Sequence, residues 1–251
     1  MTKTRPDLPP GISLISHETV TSTNYEAKLL ANDDAPEGTV VWAKAQTHGK
    51  GRMNRNWVSK PGNLYSSIIL RPSTSLAQAT QIAFLPALAL GEVLARFVPV
   101  SNYSFKWPND VLLNKKKFSG TLLESGDWST KESKWLVIGC GVNLAHSPTE
   151  TRFPATSIFE ETKQLIPVKD ALFYYYQFVY EWYLRWSKEG FSSVRNAWLK
   201  HAHGLEEEMT ANCGQQSYTG RFIGLDNNGA LKIQTDIGLR TIRAADVYLN
   251  H

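Results

Sequence analysis

The chain has 251 residues, of which 42% are hydrophobic and 20% are charged. This length suits one large domain, or one domain with a small appendage, and the ordinary composition excludes a disordered, collagen-like or coiled-coil protein. The net charge is only +4, but the segment from Lys44 to Lys60 holds five cations and no acid. This local excess of charge is the feature of the composition that needs an explanation.

Cysteine content and hydropathy exclude two further classes of protein. Cys140 and Cys213 are too few for a disulfide framework and lack the paired spacing of a metal site. The longest apolar run, Ile82 to Leu90, contains Pro86 and is too short for a transmembrane helix. The N-terminus has no apolar stretch typical of a secretory signal. These observations predict a reduced, cytoplasmic protein that does not enter a membrane.

Hydrophobic periodicity predicts both strands and helices in the first two hundred residues. A short strand at Ile12 to Ile15 precedes a helix from about Asn24, where Thr23 and Glu26 have the spacing of a capping box. Further strands are predicted at 39–45, 64–70, 103–107, 111–113, 118–125 and 135–142, with a charged hairpin tip at 114–117. Two helical regions are predicted at 76–97, with Pro86 at a kink or in an early turn, and at 168–201, which is rich in aromatic residues.

Short strands replace helices beyond about residue 203. They are predicted at 208–211, 216–225, 230–235 and 239–244, and Asn227-Asn228-Gly229 is a strong hairpin signal. The chain therefore divides into an α+β main domain, residues 1–203, and a small β domain, residues 204–251.

Glycines and cations alternate within the segment Gln46 to Trp57, which directly follows a predicted buried strand. Gly49 and Gly51 allow the backbone to approach a ligand and present its N–H groups, while Lys50 and Arg52 can neutralise an anion. The segment has neither the P-loop spacing nor the spacing G-x-G-x-x-G. Taken alone, it is equally well interpreted as a flexible basic loop without a specific ligand.

Three further segments are also candidates for a functional site, and each has a simple structural interpretation. Lys106-Trp-Pro-Asn-Asp110 is a simple turn, or it places a carboxylate at a strand end where it suits Mg²⁺ beside phosphates. Lys115-Lys-Lys-Phe-Ser-Gly120 is typical of a solvated hairpin tip. In Gly139-Cys-Gly-Val-Asn143, the glycines permit close packing at the end of an apolar strand.

Taken in order, these segments closely resemble those of the biotin protein ligases. The motifs that carry the resemblance are Thr21-Ser-Thr-Asn24, Gln46 with Gly49-Lys-Gly-Arg52 and Trp57, Gly62-Asn-Leu-Tyr65, Lys106-Trp-Pro-Asn-Asp110, Lys117-Phe-Ser-Gly120 with Glu124, and Gly139-Cys-Gly-Val-Asn143. The match extends from about residue 13 to the C-terminus.

The resemblance implies a fold and an activity. The expected fold is a mixed-sheet catalytic domain of the biotin/lipoate ligase type, similar to class II synthetases, followed by a small SH3-like β-barrel. The expected enzyme makes biotinyl-5′-adenylate from biotin and ATP with Mg²⁺, and then passes biotin to one lysine of a biotin carboxyl carrier protein. The expected partners are this carrier, biotin and ATP, with no DNA and no membrane, and the sequence leaves open whether the protein is a monomer or a homodimer.

The resemblance also implies roles for individual residues. Catalytic roles fall to Arg52, Lys117 and Asp110, of which Asp110 either contacts Mg²⁺ or orients the carrier lysine. Biotin binding falls to Ser22, Thr23, Asn24, Gln46, Lys50, Gly51, Arg52 and Lys117. ATP binding falls to Arg52, Arg55, Trp57, Lys106, Asn109 and Asn143. Trp57 also has a core-packing alternative, and Phe153 is expected near the adenine.

The basic loop departs from the usual pattern of the family, which is G-R-G-R followed by R-G-R. Here Lys50 replaces an arginine and Asn54 replaces a glycine. Lys50 keeps the charge but loses the planar fork that binds two acceptors at once. Only about eleven residues precede the first predicted strand, which predicts a ligase without a DNA-binding repressor domain.

Three other functions would each account for part of this pattern. A lipoate or octanoate ligase would have the same fold, but the Gly-Lys-Gly-Arg loop and Lys-Trp-Pro-Asn-Asp favour biotin. A nucleic-acid-binding module would use the basic segment as a phosphate track, for which a single loop is narrow. A partner-binding protein would use the aromatic run at 172–186, whose helical spacing indicates mainly core.

Overall fold

Seven strands form one mixed sheet in the computed structural model, which describes residues 7–98, 102–129, 134–151 and 153–249. The strands are β1 (Ser13–Val20), β2 (Thr39–Gln46), β3 (Leu64–Leu70), β4 (Tyr103–Lys106), β5 (Asp110–Leu113), β6 (Lys116–Ser125) and β7 (Leu136–Val142). Their spatial order is β1-β2-β3-β7-β6-β5-β4. β1 and β2 are parallel, and the other neighbours are antiparallel.

Helices cover both faces of this sheet. They are α1 (Thr23–Asn32), α2 (Leu76–Ala79), α3 (Leu85–Phe97), α4 (Ile158–Thr162), α5 (Val168–Glu189) and α6 (Phe191–Leu199). Successive residues of a strand point to opposite faces. Ile69 of β3 therefore packs with Ala27 of α1, whereas its neighbour Ile68 belongs to the larger core that includes Leu90 of α3 and Tyr176 of α5.

The second sheet is antiparallel and lies in the C-terminal part of the chain. Its strands are β8 (Glu208–Cys213), β9 (Gln216–Leu225), β10 (Leu231–Thr235), β11 (Gly238–Ile242) and β12 (Asp246–Leu249), in the order β11-β10-β9-β8-β12. The predicted α+β fold with a mixed main sheet and a small C-terminal β unit is confirmed. The sequence analysis missed β12 and α4.

Several predicted elements differ in detail from the structure. The region 76–97 consists of α2, a 3-10 turn at Thr80–Phe84 and α3, and Pro86 lies in the first turn of α3, where a missing N–H costs no hydrogen bond. The aromatic region at 168–201 breaks at Gly190, whose φ of 76° ends α5 before α6 begins. The predicted capping box is wrong: Ser22 is the N-cap residue, and its side chain makes no capping hydrogen bond.

The segment Leu76–Phe97 is long and apolar enough to cross a membrane by composition alone. In the fold, 67% of its most apolar stretch is buried inside the protein. This burial is typical of a core helix, and α3 packs between the large sheet and α5.

The hairpin between β9 and β10 attaches the C-terminal sheet to the rest of the protein. Trp107 Nε1 donates to the carbonyl of Gly229 at 3.0 Å, and Gln81 Nε2 donates to the carbonyl of Asn227 at 3.1 Å. Gly229 has a φ of 83°, and a Cβ at this position would overlap the ring of Phe84. The predicted hairpin at 227–229 therefore also packs against the rest of the protein, at Gln81, Phe84 and Trp107.

We expect Gly229→Ala to lower the free energy of unfolding by about 1–3 kcal/mol more than Gly214→Ala. Both glycines have positive φ, but a Cβ on Gly214 would meet no atom within 4 Å, so it controls for backbone strain. Urea denaturation of the two variants measures the difference. Equal destabilisation would show that the hairpin does not pack tightly on Phe84.

Candidate active site

Three glycines leave a strip of the large sheet without side chains on its α1 side, and we call this strip the trough. Gly120 of β6 pairs with Gly141 of β7, and Gly139 lies two residues before Gly141 on the same face. A Cβ on Gly141 would overlap the ring of Trp57, and one on Gly139 would overlap the amide of Asn24. Any larger residue at these positions would therefore fill the trough from below.

A polar cluster lies at one end of the trough, around the start of α1. Asn24 Nδ2 donates to Glu124 Oε2 at 2.8 Å, and Ser67 Oγ lies 2.7 Å from Asn24 Oδ1. Lys28 Nζ holds the other oxygen of the Glu124 carboxylate at 2.5 Å. These contacts fix which end of the buried Asn24 amide is the donor and which is the acceptor.

Thr23 and Gln46 connect this cluster to the end of β2. The backbone N–H and the hydroxyl of Thr23 lie 2.8 and 3.2 Å from Gln46 Oε1, and Gln46 Nε2 donates to Ser59 Oγ at 2.8 Å. The Thr23 hydroxyl bonds to Gln46 and therefore does not cap α1, which begins at Thr23 itself. Ser22 is buried beside it.

The basic loop covers the middle of the trough. The N–H of Gly51 donates to the carbonyl of Arg55 at 2.7 Å, and the N–H of Trp57 donates to the carbonyl of Gly49 at 2.8 Å. Asn54 adopts a left-handed conformation with φ of 60°. Asparagine tolerates this conformation better than other non-glycine residues, so the loop keeps its turn although the glycine usual at this position is absent.

Trp57 is half-buried and lies over the glycine floor, close to the cation of Lys117, whose Nζ is 5.5 Å from its ring. Its indole Nε1 is buried and finds no hydrogen-bond partner among the residues that the structure describes. A buried donor without an acceptor is costly. An acceptor atom on a bound molecule would remove that cost.

Cations and their counter-ions lie at the other end of the trough. Lys117 Nζ is 2.8 Å from Asp110 Oδ1, and Arg55 Nη2 is 2.7 Å from Asp246 Oδ1. Arg52 Nη1 donates to the carbonyl of Ala245 at 3.4 Å. Burial lowers the pKa of the Arg52 guanidinium, and the nearby carboxylates of Asp246 and Asp110 oppose this shift.

Lys106 extends this group of cations towards the C-terminal sheet. Burial lowers the pKa of Lys106, Asp110 raises it, and the like charge of Lys117 lowers it further. Its Nζ lies 4.7 Å from the ring centroid of Phe153 and 5.5 Å from that of Tyr248. Phe153, expected near an adenine, therefore packs beside the cations and against Tyr248.

Two predicted ATP-binding residues have their side chains engaged within the protein. Asn109 Nδ2 donates to the carbonyl of Thr121 at 2.6 Å, which holds the turn before β5. Asn143 is 2% exposed, and its amide spans Asn63 and the carbonyl of Thr156. Lys50 is exposed on the basic loop. The other predicted site residues lie along the trough and its rim: Ser22, Thr23, Asn24, Gln46, Gly51, Arg52, Arg55, Trp57, Lys106, Asp110 and Lys117.

Comparison with known proteins assigns this arrangement to a family. The model of the biotin/lipoate A/B protein ligase family matches residues 15–143, and that of the biotin protein ligase C-terminal domain matches residues 204–250. A biotin–[acetyl-CoA-carboxylase] ligase of Paracoccus denitrificans is 36% identical over 90% of this chain and 96% of its own length. The chain belongs to the biotin protein ligases.

Further relatives support this biotin protein ligase assignment. The bifunctional ligase/repressor BirA of Bacillus subtilis (strain 168) is 32% identical over 95% of this chain and 74% of its own length. Among solved structures, the biotin protein ligase from Aquifex aeolicus in complex with biotin and ATP superposes with a TM-score of 0.83. It is 28% identical and covers 94% of this chain and 99% of its own.

The sequence analysis gave no role to several residues that shape the site of this ligase. Ser67 fixes the Asn24 amide, and Asp246 and Tyr248 approach the cations from β12. The alternation of Asp246-Val-Tyr-Leu249 could have indicated a strand with two residues on one face. Nothing in the sequence indicated that this face would meet the basic loop.

Glu161 of α4 supports the strand that carries Lys117. It accepts hydrogen bonds from Thr156 Oγ1 at 2.6 Å and Asn114 Nδ2 at 2.6 Å, and it pairs with Lys116 at 3.0 Å. These contacts, the hydrogen bond from Thr156 first, lower the pKa of Glu161 to about 2. The backbone N–H of Thr156 also donates to the carbonyl of Lys117. The Glu161 carboxylate therefore holds both the start of β6, through Lys116, and the segment paired with it, through Thr156.

We expect Glu161→Gln to lower the free energy of unfolding at pH 7 by about 1–2 kcal/mol. Because the folded-state pKa is depressed, the stabilisation is present above the ordinary value of 4.5 and is lost as the pH falls towards about 2. The difference from the wild type should therefore shrink as the pH is lowered from 7 to 3 in urea titrations.

The exposed Glu150→Gln is the matched control and should change little. A Glu161→Gln deficit that stays constant down to pH 3 would contradict a role for the charged carboxylate.

Proposed function

We propose that this protein activates biotin with ATP to biotinyl-5′-adenylate and transfers biotin to a lysine of a biotin carboxyl carrier protein. The observation that carries the proposal is the division of the trough. One end holds an oriented amide and hydroxyls, and the other holds cations beside Asp110. The ureido ring of biotin needs donors and acceptors, whereas its carboxylate needs positive charge.

The first step requires two anions to meet. An oxygen of the biotin carboxylate attacks the α-phosphorus of ATP, a new O–P bond forms, and pyrophosphate leaves. Two like charges 4 Å apart repel by about 4 kcal/mol at an effective dielectric constant near 20. Arg52 and Lys117 are the cations placed to offset this repulsion, and their effect grows as charge develops on the leaving group.

The second step transfers biotin from the adenylate to the carrier. The uncharged lysine amine of the carrier attacks the acyl carbon, the acyl–O bond breaks, and AMP leaves with the bonding electrons. The basic loop lies over the trough, where it can shield the mixed anhydride from water. Asp110 is placed to accept a hydrogen bond from the incoming amine.

We propose that Mg²⁺ enters with the nucleotide. Asp110 offers one hard oxygen ligand, which suits a Mg²⁺ ion that keeps substrate phosphates and water as its other ligands. Among the described residues, no group of three or more His, Cys, Asp or Glu side chains could hold a metal ion. Mg²⁺, when bound, would neutralise phosphate charge at this end of the trough.

The residue roles follow the same division. We assign the biotin head to Ser22, Thr23 and Asn24, with Gln46 and Gly51 as supporting wall and Lys50 in the covering loop. Arg55, Trp57 and Lys106 are assigned to the nucleotide, and Asn109 and Asn143 to the framework that holds it. Residues 1–203 would form the catalytic unit, and residues 204–251 would close over the ATP side.

We expect Arg52→Ala and Lys117→Ala each to lower biotin-dependent exchange between ATP and pyrophosphate by about 10²-fold or more, since each removes a charge that stabilises the transition state. Lys60→Ala is the matched control, because Lys60 is an exposed cation of the same basic segment. Lipoate in place of biotin should support little exchange in the wild type.

Three results would contradict the proposal: exchange that does not need biotin, equal exchange with lipoate, or full activity in both site variants. The thermal unfolding midpoint of each variant distinguishes lost chemistry from lost folding.

A further inference from the structure

The basic loop contacts two consecutive residues, Ala245 and Asp246, at the start of strand β12. The Arg55 guanidinium lies 2.7 Å from the Asp246 carboxylate, and Arg52 donates to the carbonyl of Ala245 at 3.4 Å. Two cations of the loop therefore bind one short segment that is nearly two hundred residues away in the chain.

The loop needs such an anchor because its backbone is strained. Met53 has φ of 53° and ψ of 35°, and Asn54 follows with φ of 60°. The left-handed region is unfavourable for a residue such as methionine unless the surroundings impose it. Met53 is 73% exposed, so its own side chain supplies little packing to hold this turn. The anchoring contacts come from the neighbouring arginines.

The same face of β12 also meets the reaction end of the trough. Asp246 and Tyr248 are two residues apart in the strand, so their side chains project from one face. The Tyr248 ring packs at a tilt against Phe153 with centroids 5.3 Å apart, and Lys106 Nζ lies over the Tyr248 ring. Asp246 is therefore presented to the loop by a strand that is itself packed against the catalytic unit.

We propose that Asp246 is a positioning residue that holds the basic loop over the trough through Arg55. The C-terminal sheet would thereby control how long the activated intermediate stays protected from water. This inference rests on the proposed function for its chemistry, but the anchoring itself is a property of the loop. Asp246 need not touch the substrate, since it acts on Arg55.

The opposite role for Asp246 is a competitor that occupies Arg55 until a phosphate displaces it. A competitor would weaken nucleotide binding, so its removal would tighten ATP binding. An anchor would leave biotin binding nearly unchanged and would mainly slow the loss of the bound adenylate. The two roles therefore differ in which measured constant they change.

The test compares Asp246→Asn, Asp246→Glu and the charge swap Arg55→Asp/Asp246→Arg with the wild type. Asp236→Asn is the matched control, because Asp236 is an exposed carboxylate in the turn between β10 and β11. Two rates are measured: the loss of biotinyl-adenylate from preloaded protein in a chase, and trypsin cleavage at the Lys50–Gly51 and Arg52–Met53 bonds without ligands.

We expect Asp246→Asn to raise both rates about fivefold, the range of a partly exposed ion pair. Asp246→Glu should restore most of the protection, and the charge swap should be slower in cleavage than Asp246→Asn alone. The dissociation constant for biotin should stay within twofold.

The inference is overturned if Asp246→Asn matches Asp236→Asn in both rates, if Asp246→Glu gives no rescue, or if Asp246→Asn tightens ATP binding without changing adenylate loss. Trypsin cleavage needs no biotin chemistry. A wild type that makes no adenylate would therefore refute the proposed function, while the cleavage rates would still decide the anchoring role.

Discussion

The site depends on keeping several positive charges close together before any substrate is present. Burial is the main cause that lowers the pKa of Arg52 and Lys106, and the neighbouring charges of Arg55 and Lys117 lower these two pKa values further. The protein offsets this repulsion with carboxylates from separate elements, Asp110 on β5 and Asp246 on β12. Under the proposed function, these cations are in place before the anions arrive, which avoids a reorganisation when charge develops. Of the five cations between Lys44 and Lys60, two, Arg52 and Arg55, belong to this group.

The uncharged end of the trough depends on the completed sheet. Asn24, Ser67 and Glu124 come from α1, β3 and β6, and they meet only when β3, β7 and β6 are paired. Gly139 lies under Asn24 and Gly141 under Trp57, so the floor is flat where side chains from other elements cross it. The polar cluster and the cation cluster are therefore built by different elements on one floor of glycines.

Local signals predicted much of this molecule. Alternation and β-branched runs indicated the strands of the main sheet, and the glycine–cation pattern indicated the loop that carries Arg52. Contacts between residues distant in the sequence were not predicted. Thr23 matched a capping box, but the tertiary contact with Gln46 takes its hydroxyl. The pairing of Arg55 with Asp246 joins residues far apart in sequence, and the alternation in β12 does not indicate which element its face would meet. Such contacts depend on how the two sheets dock, which local pattern does not determine.

The central claim is that the two ends of the trough recognise different parts of one molecule. The most direct test is the dissociation constant, by titration calorimetry, of biotin and of its uncharged alcohol analogue for wild type, Asn24→Ala and Lys117→Ala. The account predicts that Asn24→Ala weakens both molecules, whereas Lys117→Ala weakens biotin and leaves the alcohol nearly unchanged. Equal weakening of both by Lys117→Ala, or no effect of Asn24→Ala on either, would contradict it.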